Sequence, residues 1–249
     1  KLDKQIAVIT GGASGLGKAC AQLLSSHNVE VVVWDKNPEE QMTAKGIHFF
    51  ACDIRSEAEV ERAMQETLST IGVPRIGINC AGIAPAKRMV GKEGAMPLQA
   101  FKEVIDVNLV GSFNVMRVLA AAMIQADHNN DITGGVIINT ASIAAFEGQI
   151  GQLAYSASKG GIVSMTLPAA RELAQHAIRV NTIAPGLMAT PMLLSMPEEV
   201  QKSLAATVTF PQRLGRPEEF AQLVKHIIEN DFINGEVIRL DGALRMQAR

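Results

Sequence analysis

Apolar positions recur along the chain with two alternating periods. Short β-branched runs at 5–10, 29–34, 47–51, 75–79, 135–139, 178–183 and 236–240 have the length and flanking turns of buried strands. Between them, residues 16–24, 57–71, 98–126 and 218–230 space their apolar side chains for helices. Seven strands alternating with helices, without a repeat or linker, predict one α/β domain over residues 1–249: a Rossmann-type, doubly wound parallel seven-stranded sheet. Two stretches fall outside the alternation. Residues 87–97 are polar and glycine-containing and read as an exposed loop, whose Lys87, Arg88 and Lys92 could meet an acidic substrate tail. Residues 187–213, rich in Met, Leu and Pro from Met188 on, read either as a helical cover over an apolar ligand or as a core-packing or subunit-contact segment.

Composition narrows the classes of partner. The chain has 249 residues, 47% of them hydrophobic, and a net charge of −2, with no extended basic run. That is enough apolar surface for a sizeable core, and neither nucleic acid nor an anionic membrane surface is an expected partner. No uninterrupted apolar run approaches the roughly 18 residues of a membrane span. Three cysteines, Cys20, Cys52 and Cys80, lack metal-ligand spacing, so no metal is expected and a reducing compartment is the simplest setting. The expected location is cytoplasmic, or the mitochondrial matrix if a leader precedes Lys1.

The candidate chemistry gathers at the ends of the strands. After the first strand, Gly11, Gly15 and Gly17 form a G-x-x-x-G-x-G turn that opens a helix. Glycines there let the backbone approach a pyrophosphate, and the helix N-terminus stabilises its charge. Asp35 ends the second strand about 20 residues on, placed to accept hydrogen bonds from a ribose and to repel a 2′-phosphate, which points to NAD over NADP; Lys36 tempers that preference. Asp53 follows the third strand. The small residues of Asn79-Cys80-Ala81-Gly82 suit a backbone lying against a cofactor, with Cys80 a small hydrophobe. Asn108, inside an apolar helix, is a polar contact or a local kink, because burying an unpartnered amide costs about 1 to 3 kcal/mol.

Ser142 follows the fifth strand. Thirteen residues later comes Tyr155, the only tyrosine, with Lys159 four residues beyond it. On a helix the last two share a face. A phenol with its pKa near 10 serves as a base at neutral pH only if shifted by several units, each worth about 1.4 kcal/mol, and a neighbouring cation contributes to that shift. A single Tyr-x-x-x-Lys is more often an ordinary helix surface, so its weight comes from the residues around it.

Together, Thr10-Gly11-Gly12-Ala13-Ser14-Gly15-Leu16-Gly17, Asn79 to Gly82, Asn108, Ser142, Tyr155 with Lys159, and Pro185-Gly186 through Thr190 resemble the short-chain dehydrogenase/reductase family over essentially the whole chain. The usual Asn-Asn-Ala-Gly is here Asn-Cys-Ala-Gly. Residues 138–149, 184–187 and 234–243 further resemble the family's type II 3-hydroxyacyl-CoA dehydrogenases, also called type 10 17β-hydroxysteroid dehydrogenases. The resemblance implies an NAD-dependent enzyme of fatty acid and isoleucine degradation. It would interconvert short or 2-methyl-branched 3-hydroxyacyl-CoA and 3-ketoacyl-CoA, as a homotetramer. It further implies Tyr155 as acid/base, Ser142 as hydrogen-bond partner of the reacting oxygen, Lys159 as ribose ligand and pKa-lowering cation, and Asn108 as anchor of a water. For the cofactor it implies Ser14 and Leu16 in the turn, Asp53 and Ile54 around adenine, Cys80 beside the ribose, and Gly186, Met188 and Thr190 facing the nicotinamide. Gln149 and Gln152, between Ser142 and Tyr155, are candidate substrate contacts. The competing expectations are a general secondary-alcohol or steroid dehydrogenase using the same residues and a non-catalytic NAD sensor.

Overall fold

The computed structural model describes residues 2–37, 46–126 and 134–248. Its strands are β1 (Ile6–Thr10), β2 (Glu30–Asp35), β3 (Ile47–Ala51), β4 (Ile76–Asn79), a hairpin of β5 (Val90–Gly91) and β6 (Gly94–Ala95), β7 (Gly135–Thr140), β8 (Ile178–Pro185) and β9 (Val237–Leu240). Seven of them form one sheet in the order β3-β2-β1-β4-β7-β8-β9, every neighbour parallel. The expected sheet is present, with strand ends displaced by at most two residues. β8 runs on through Pro185, two residues past the expected end at 183.

The helices are α1 (Gly15–Ser25), α2 (Glu57–Thr70), α3 (Leu98–Ile105), α4 (Ser112–Gln125), α5 (Ala144–Glu147), α6 (Leu153–Leu173), α7 (Pro191–Leu194), α8 (Glu198–Ala206) and α9 (Pro217–Glu229). They cover both faces of the sheet, and the two-residue period of the strands sorts side chains between them. Ala7, Ile9, Val31 and Val33 point to the layer holding Leu24 of α1 and Phe220 and Val224 of α9. Val8, Val32 and the fully buried Trp34 point to the layer of Val60, Met64, Leu119 and Met123 from α2 and α4.

Three departures from the sequence pattern have local causes. The apolar stretch from Leu98 is broken, because residues Asp106–Gly111 widen into a π-helical segment between α3 and α4. Asn108 lies inside it, and Ser112 Oγ donates to the Asn108 carbonyl at 2.7 Å. Such bulges insert where a side chain must be aimed off the regular ladder. Taken as a whole, Leu98–Gln125 has the length and composition to cross a bilayer, unlike the uninterrupted runs considered above; 61% of its most apolar window is buried inside the fold. Finally, residues 87–97 contain the β5–β6 hairpin, whose two-residue strands are too short to show an alternating pattern.

β1 and β4 are adjacent although the chain leaves β1 in one direction and β4 in the other, so their carboxyl ends bound the crevice where such sheets bind ligands. Thr10, Asn79, Asn139 and Thr182 face one another across four strands at this level. Asn79 Nδ2 donates to Asn139 Oδ1 at 2.8 Å, and Thr10 Oγ1 to Asn79 Oδ1 at 3.4 Å. Thr182 Oγ1 pairs instead with Thr166 Oγ1 of α6 at 2.7 Å, so this buried polar row is hydrogen-bonded throughout and forms a rigid floor beneath the site.

Candidate active site

The glycine turn closes against the end of β4. Gly11 has φ +65°, and a Cβ there would lie 2.7 Å from the Ala81 nitrogen. A Cβ on Gly17 would lie 2.4 Å from the Gly11 carbonyl oxygen. Any side chain at either position therefore pushes the turn apart. Gly15, at φ +52°, faces Thr190 instead, with its virtual Cβ 3.5 Å from Thr190 Cγ2. The exposed Ser14 makes no side-chain cap, and the first turn of α1 carries no acid. The amides of Ser14, Gly15 and Leu16 thus face an opening suited to an anion.

Asp35 stands beside this turn, its Oδ2 accepting from the Ala13 amide at 3.2 Å. Lys36 turns away from it and pairs with Asp53 Oδ2 at 3.2 Å. Asp53 is also gripped by Arg55 at 2.6 Å, which holds its carboxyl far below the usual range. The cation that tempered the NAD preference is therefore neutralised by a different carboxylate. Ile54 is buried beneath Gly111, and its carbonyl accepts from Asn114 at 2.9 Å. The Asn79 side chain belongs to the polar floor, leaving the backbone of residues 80–82 toward the crevice. Cys80 is half-buried and bonded to the Thr140 hydroxyl at 3.5 Å. Its contact with the Cys20 thiol pulls the Cys80 pKa down and pushes that of Cys20 up.

Ser142, Tyr155 and Lys159 converge just past β7. Ser142 Oγ accepts from the Ala144 amide at 3.1 Å, which orients it at the start of α5 with its hydroxyl near Tyr155. Tyr155 is in the first turn of α6. Lys159, one turn later, is 5% exposed, donates to the Thr140 carbonyl at 2.6 Å, and has its ammonium 5.8 Å from the Tyr155 ring centre. Burial pulls Lys159 down to about 8. Tyr155 moves the opposite way to the sequence expectation: burial pushes it above its ordinary value, and the nearby Ser142 hydroxyl offsets part of the rise. Desolvation acts directly on the phenol, whereas the Lys159 charge is spent largely on a carbonyl.

Asn108 is both of its alternatives, a polar contact and a helix distortion. Its amide closes a pair of bonds with Ile83, Oδ1 accepting from N at 2.8 Å and Nδ2 donating to O at 2.9 Å, and donates to Ser158 Oγ at 3.0 Å. Ser158 in turn bonds the Tyr155 carbonyl at 2.7 Å. Gly82 is wedged between Asn108 and Lys159, its virtual Cβ 3.1 Å and 3.6 Å from them. Asn108 thereby ties the end of β4 to the Tyr155 helix.

On the opposite rim, Gly186 donates to the Leu240 carbonyl at 2.9 Å, and Pro185 accepts from Ile143. Met188 is buried against Gly215, and Thr190 precedes α7 without a side-chain cap, beside Gly15. Of the segment 187–213, Met188, Leu193 and Val208 are buried, while α8 buries no residue. The core-packing alternative therefore holds only for the segment's ends.

Gln149 and Gln152 are occupied by the chain itself. Gln152 Oε1 accepts from the Gln149 amide at 3.0 Å, and Gln149 Nε2 donates to the Gln247 carbonyl at 3.1 Å. Sequence inspection also missed Thr140, whose backbone carbonyl orients Lys159, and the ion cluster of Glu147 with Arg239. A main-chain acceptor leaves no trace in residue type, and residues 92 apart in sequence show no local spacing.

Residues 5–201 match the family described as short chain dehydrogenase. The sequence is 53% identical over 249 residues to 3-hydroxyacyl-CoA dehydrogenase type-2 of Homo sapiens, covering 97% of this chain and 95% of that one. It is 47% identical to the protein of the same name from Drosophila melanogaster, covering 98% and 99%. The fold matches the crystal structure of 3-hydroxyacyl-CoA dehydrogenase type-2 from Mycobacterium avium with a TM-score of 0.92 at 37% identity, covering 100% of this chain and 99% of that one.

Proposed function

The chain belongs to the short-chain dehydrogenase family and is an oxidoreductase; from that premise we propose that it interconverts 3-hydroxyacyl-CoA and 3-ketoacyl-CoA thioesters with NAD. The observation that carries this reading is the convergence of Ser142, Tyr155 and Lys159 on the crevice bounded by the glycine turn. The names of the relatives, at about half identity over nearly the full length, support the thioester.

The crevice fits a dinucleotide. The uncapped start of α1 accepts a pyrophosphate, Asp35 accepts from an adenosine ribose, and Lys36 is withdrawn from any 2′-phosphate. Ser14, Leu16, Asp53, Ile54 and Cys80 would line its adenosine half, and Gly186, Met188 and Thr190 its nicotinamide half. When bound, the oxidised cofactor supplies a hydride acceptor and a positive charge.

The remaining chemistry is that of the side chains. Ser142 hydrogen-bonds the substrate oxygen and holds it against Tyr155 in both directions. Tyr155 takes the hydroxyl proton during oxidation and returns it during reduction, a contribution typically worth about 10² to 10⁴ in rate. Lys159 anchors the nicotinamide ribose and adds positive charge near the phenol. Because burial raises Tyr155, its ionisation would draw on the positive charge that an oxidised nicotinamide supplies beside it. Asn108 fixes the helix turn that carries Tyr155 through Ser158, and the family resemblance would have it anchor a water between Lys159 and solvent.

Lys87, Arg88 and Lys92 lie exposed on the β5–β6 hairpin, which is tethered to the rim by the Lys87 amide on the Gly151 carbonyl at 2.8 Å. They would face the anionic end of the coenzyme A moiety, and the segment around α7 and α8 would cover its acyl chain. Exposed Val110, Phe113 and Leu167 on the long helices support assembly into a homotetramer.

Comparison of kcat/KM for 3-hydroxybutyryl-CoA, its 2-methyl derivative and steroid alcohols tests the substrate. The thioesters should be preferred by at least about tenfold, a difference of about 1.4 kcal/mol in transition-state binding. A preference for free alcohols or steroids would refute the thioester assignment.

A further inference from the structure

The loop 148–152 that joins Ser142's helix α5 to Tyr155's helix α6 has little packing of its own. Gly151 has φ +93°, and α6 begins without a side-chain cap. Besides the Lys87 amide on the Gly151 carbonyl and the Gln149 amide on Gln152, the bonds that hold the loop come from the far end of the chain. The Ile150 amide donates to the Ala248 carbonyl at 3.1 Å, and Gln149 Nε2 donates to the Gln247 carbonyl at 3.1 Å. Just before the loop, Glu147 receives both arms of Arg239, at 2.7 and 3.1 Å, and also the Met246 amide at 3.2 Å. Arg239 is itself held by Asp241 at 2.7 Å and by the Leu244 carbonyl at 3.0 Å, and its guanidinium lies 5.4 Å from the Phe146 ring centre.

These contacts form a built device rather than a loose surface pair. The Glu147 and Arg239 side chains are only 21% and 22% exposed and meet in two-pronged geometry, and Asp241 is 8% exposed. The device also reaches the nicotinamide side of the crevice, since a Cβ on Gly186 would lie 2.8 Å from Asp241 Cβ. Ser142 and Tyr155 stand at the two ends of the α5–loop–α6 unit, close enough for the serine hydroxyl to lower the phenol's pKa. A displacement of that unit by even an ångström is felt in catalysis, whereas the glycine turn and Asp35 are on another part of the sheet edge.

We infer that residues 244–248 form a positioning strap for the loop 148–152, and that Glu147 and Arg239 are the clamp that fixes strap and loop in register with Ser142 and Tyr155. Neither clamp residue touches the reacting atoms; both act through the loop. The kinetic part of this inference rests on the thioester reading, and the exchange measurement below does not.

Two variants are compared with the full chain: one lacking residues 246–249, and full-length Glu147→Gln. Hydrogen exchange over residues 147–154, NAD affinity, and kcat and KM for 3-hydroxybutyryl-CoA are measured on each. Backbone exchange in the loop should accelerate about tenfold or more, and thioester KM should rise by about the same factor, while NAD affinity stays within about twofold. Arg239→Lys, which keeps the charge but loses one prong, should fall between wild type and Glu147→Gln. Unchanged exchange in both variants would overturn the strap. Faster exchange with unchanged KM would overturn its positioning role, and an equal loss of NAD affinity would show a general contribution to folding instead. If the protein turns over no thioester at all, the substrate reading fails, and the exchange result alone decides the strap.

Discussion

Lys159 offers a quantitative test of the electrostatics at the site. Its ammonium is buried, with the Thr140 carbonyl as acceptor, and its pKa is drawn from 10.5 to about 8. That drop corresponds to about 3 kcal/mol. Between about pH 8 and 10.5 the unfolded chain keeps a proton that the folded protein has released, so stability rises with pH across this window. The slope approaches about 1.4 kcal/mol per pH unit, and below about pH 8 the whole cost of the buried charge remains. Lys159→Met keeps the stem and removes the proton. The neighbouring Cys80 thiol titrates against Lys159, so both chains should carry Cys80→Ala. Urea denaturation of the ligand-free proteins from about pH 7.5 to 10 should then show a rise of up to about 3 kcal/mol with Lys159 and a flatter profile with Met. The constant loss of the Thr140 bond shifts the level of the mutant curve, not its slope. Parallel curves would refute the reasoning and place the lysine charge in a well-solvated setting.

Asp35→Ala should lower NAD affinity by about tenfold and narrow the gap to NADP, since one charge-assisted hydrogen bond is worth about 1.5 to 3 kcal/mol; tighter NADP than NAD binding by the wild type would contradict it. Gly17→Ala places a methyl 2.4 Å from the Gly11 carbonyl, and should abolish NAD binding while destabilising the fold by about 1 to 3 kcal/mol in denaturant titration. Asn108→Ala strands the Ile83 amide and carbonyl and should cost about 2 to 4 kcal/mol by the same measurement; a loss under about 0.5 kcal/mol would show that Ile83 finds other partners.

Much of this architecture was legible because the strands announce themselves. Val8 and Val32 alternate with Ile9 and Val33 between two helix layers, and runs such as 5–10 and 236–240 stop at Gly11 and Asp241, so the sheet follows from period and punctuation. Tyr155 and Lys159 were legible for the same reason, since four residues on a helix fix a common face. The π-helical segment showed only as the kink alternative at Asn108; its extent did not, because its six residues stay as apolar as their flanks and the distortion shows in the hydrogen bonds around Asn108. The direction of the Tyr155 shift was not either: sequence reveals the neighbouring cation, but the balance of burial against charge is set by packing. Gln149 and Gln152 looked free to meet a substrate because the segment that occupies Gln149 lies almost a hundred residues away.

The central claim is that Tyr155 transfers the proton in an NAD-dependent oxidation of a hydroxyacyl thioester. Wild type and Tyr155→Phe, matched for NAD affinity and unfolding midpoint, should be compared for NADH formation from 3-hydroxybutyryl-CoA. Loss of the hydroxyl should lower kcat by about 10² to 10⁴ with NAD affinity retained. A Phe variant that keeps kcat within about tenfold of wild type would contradict the claim and move the proton transfer to another group.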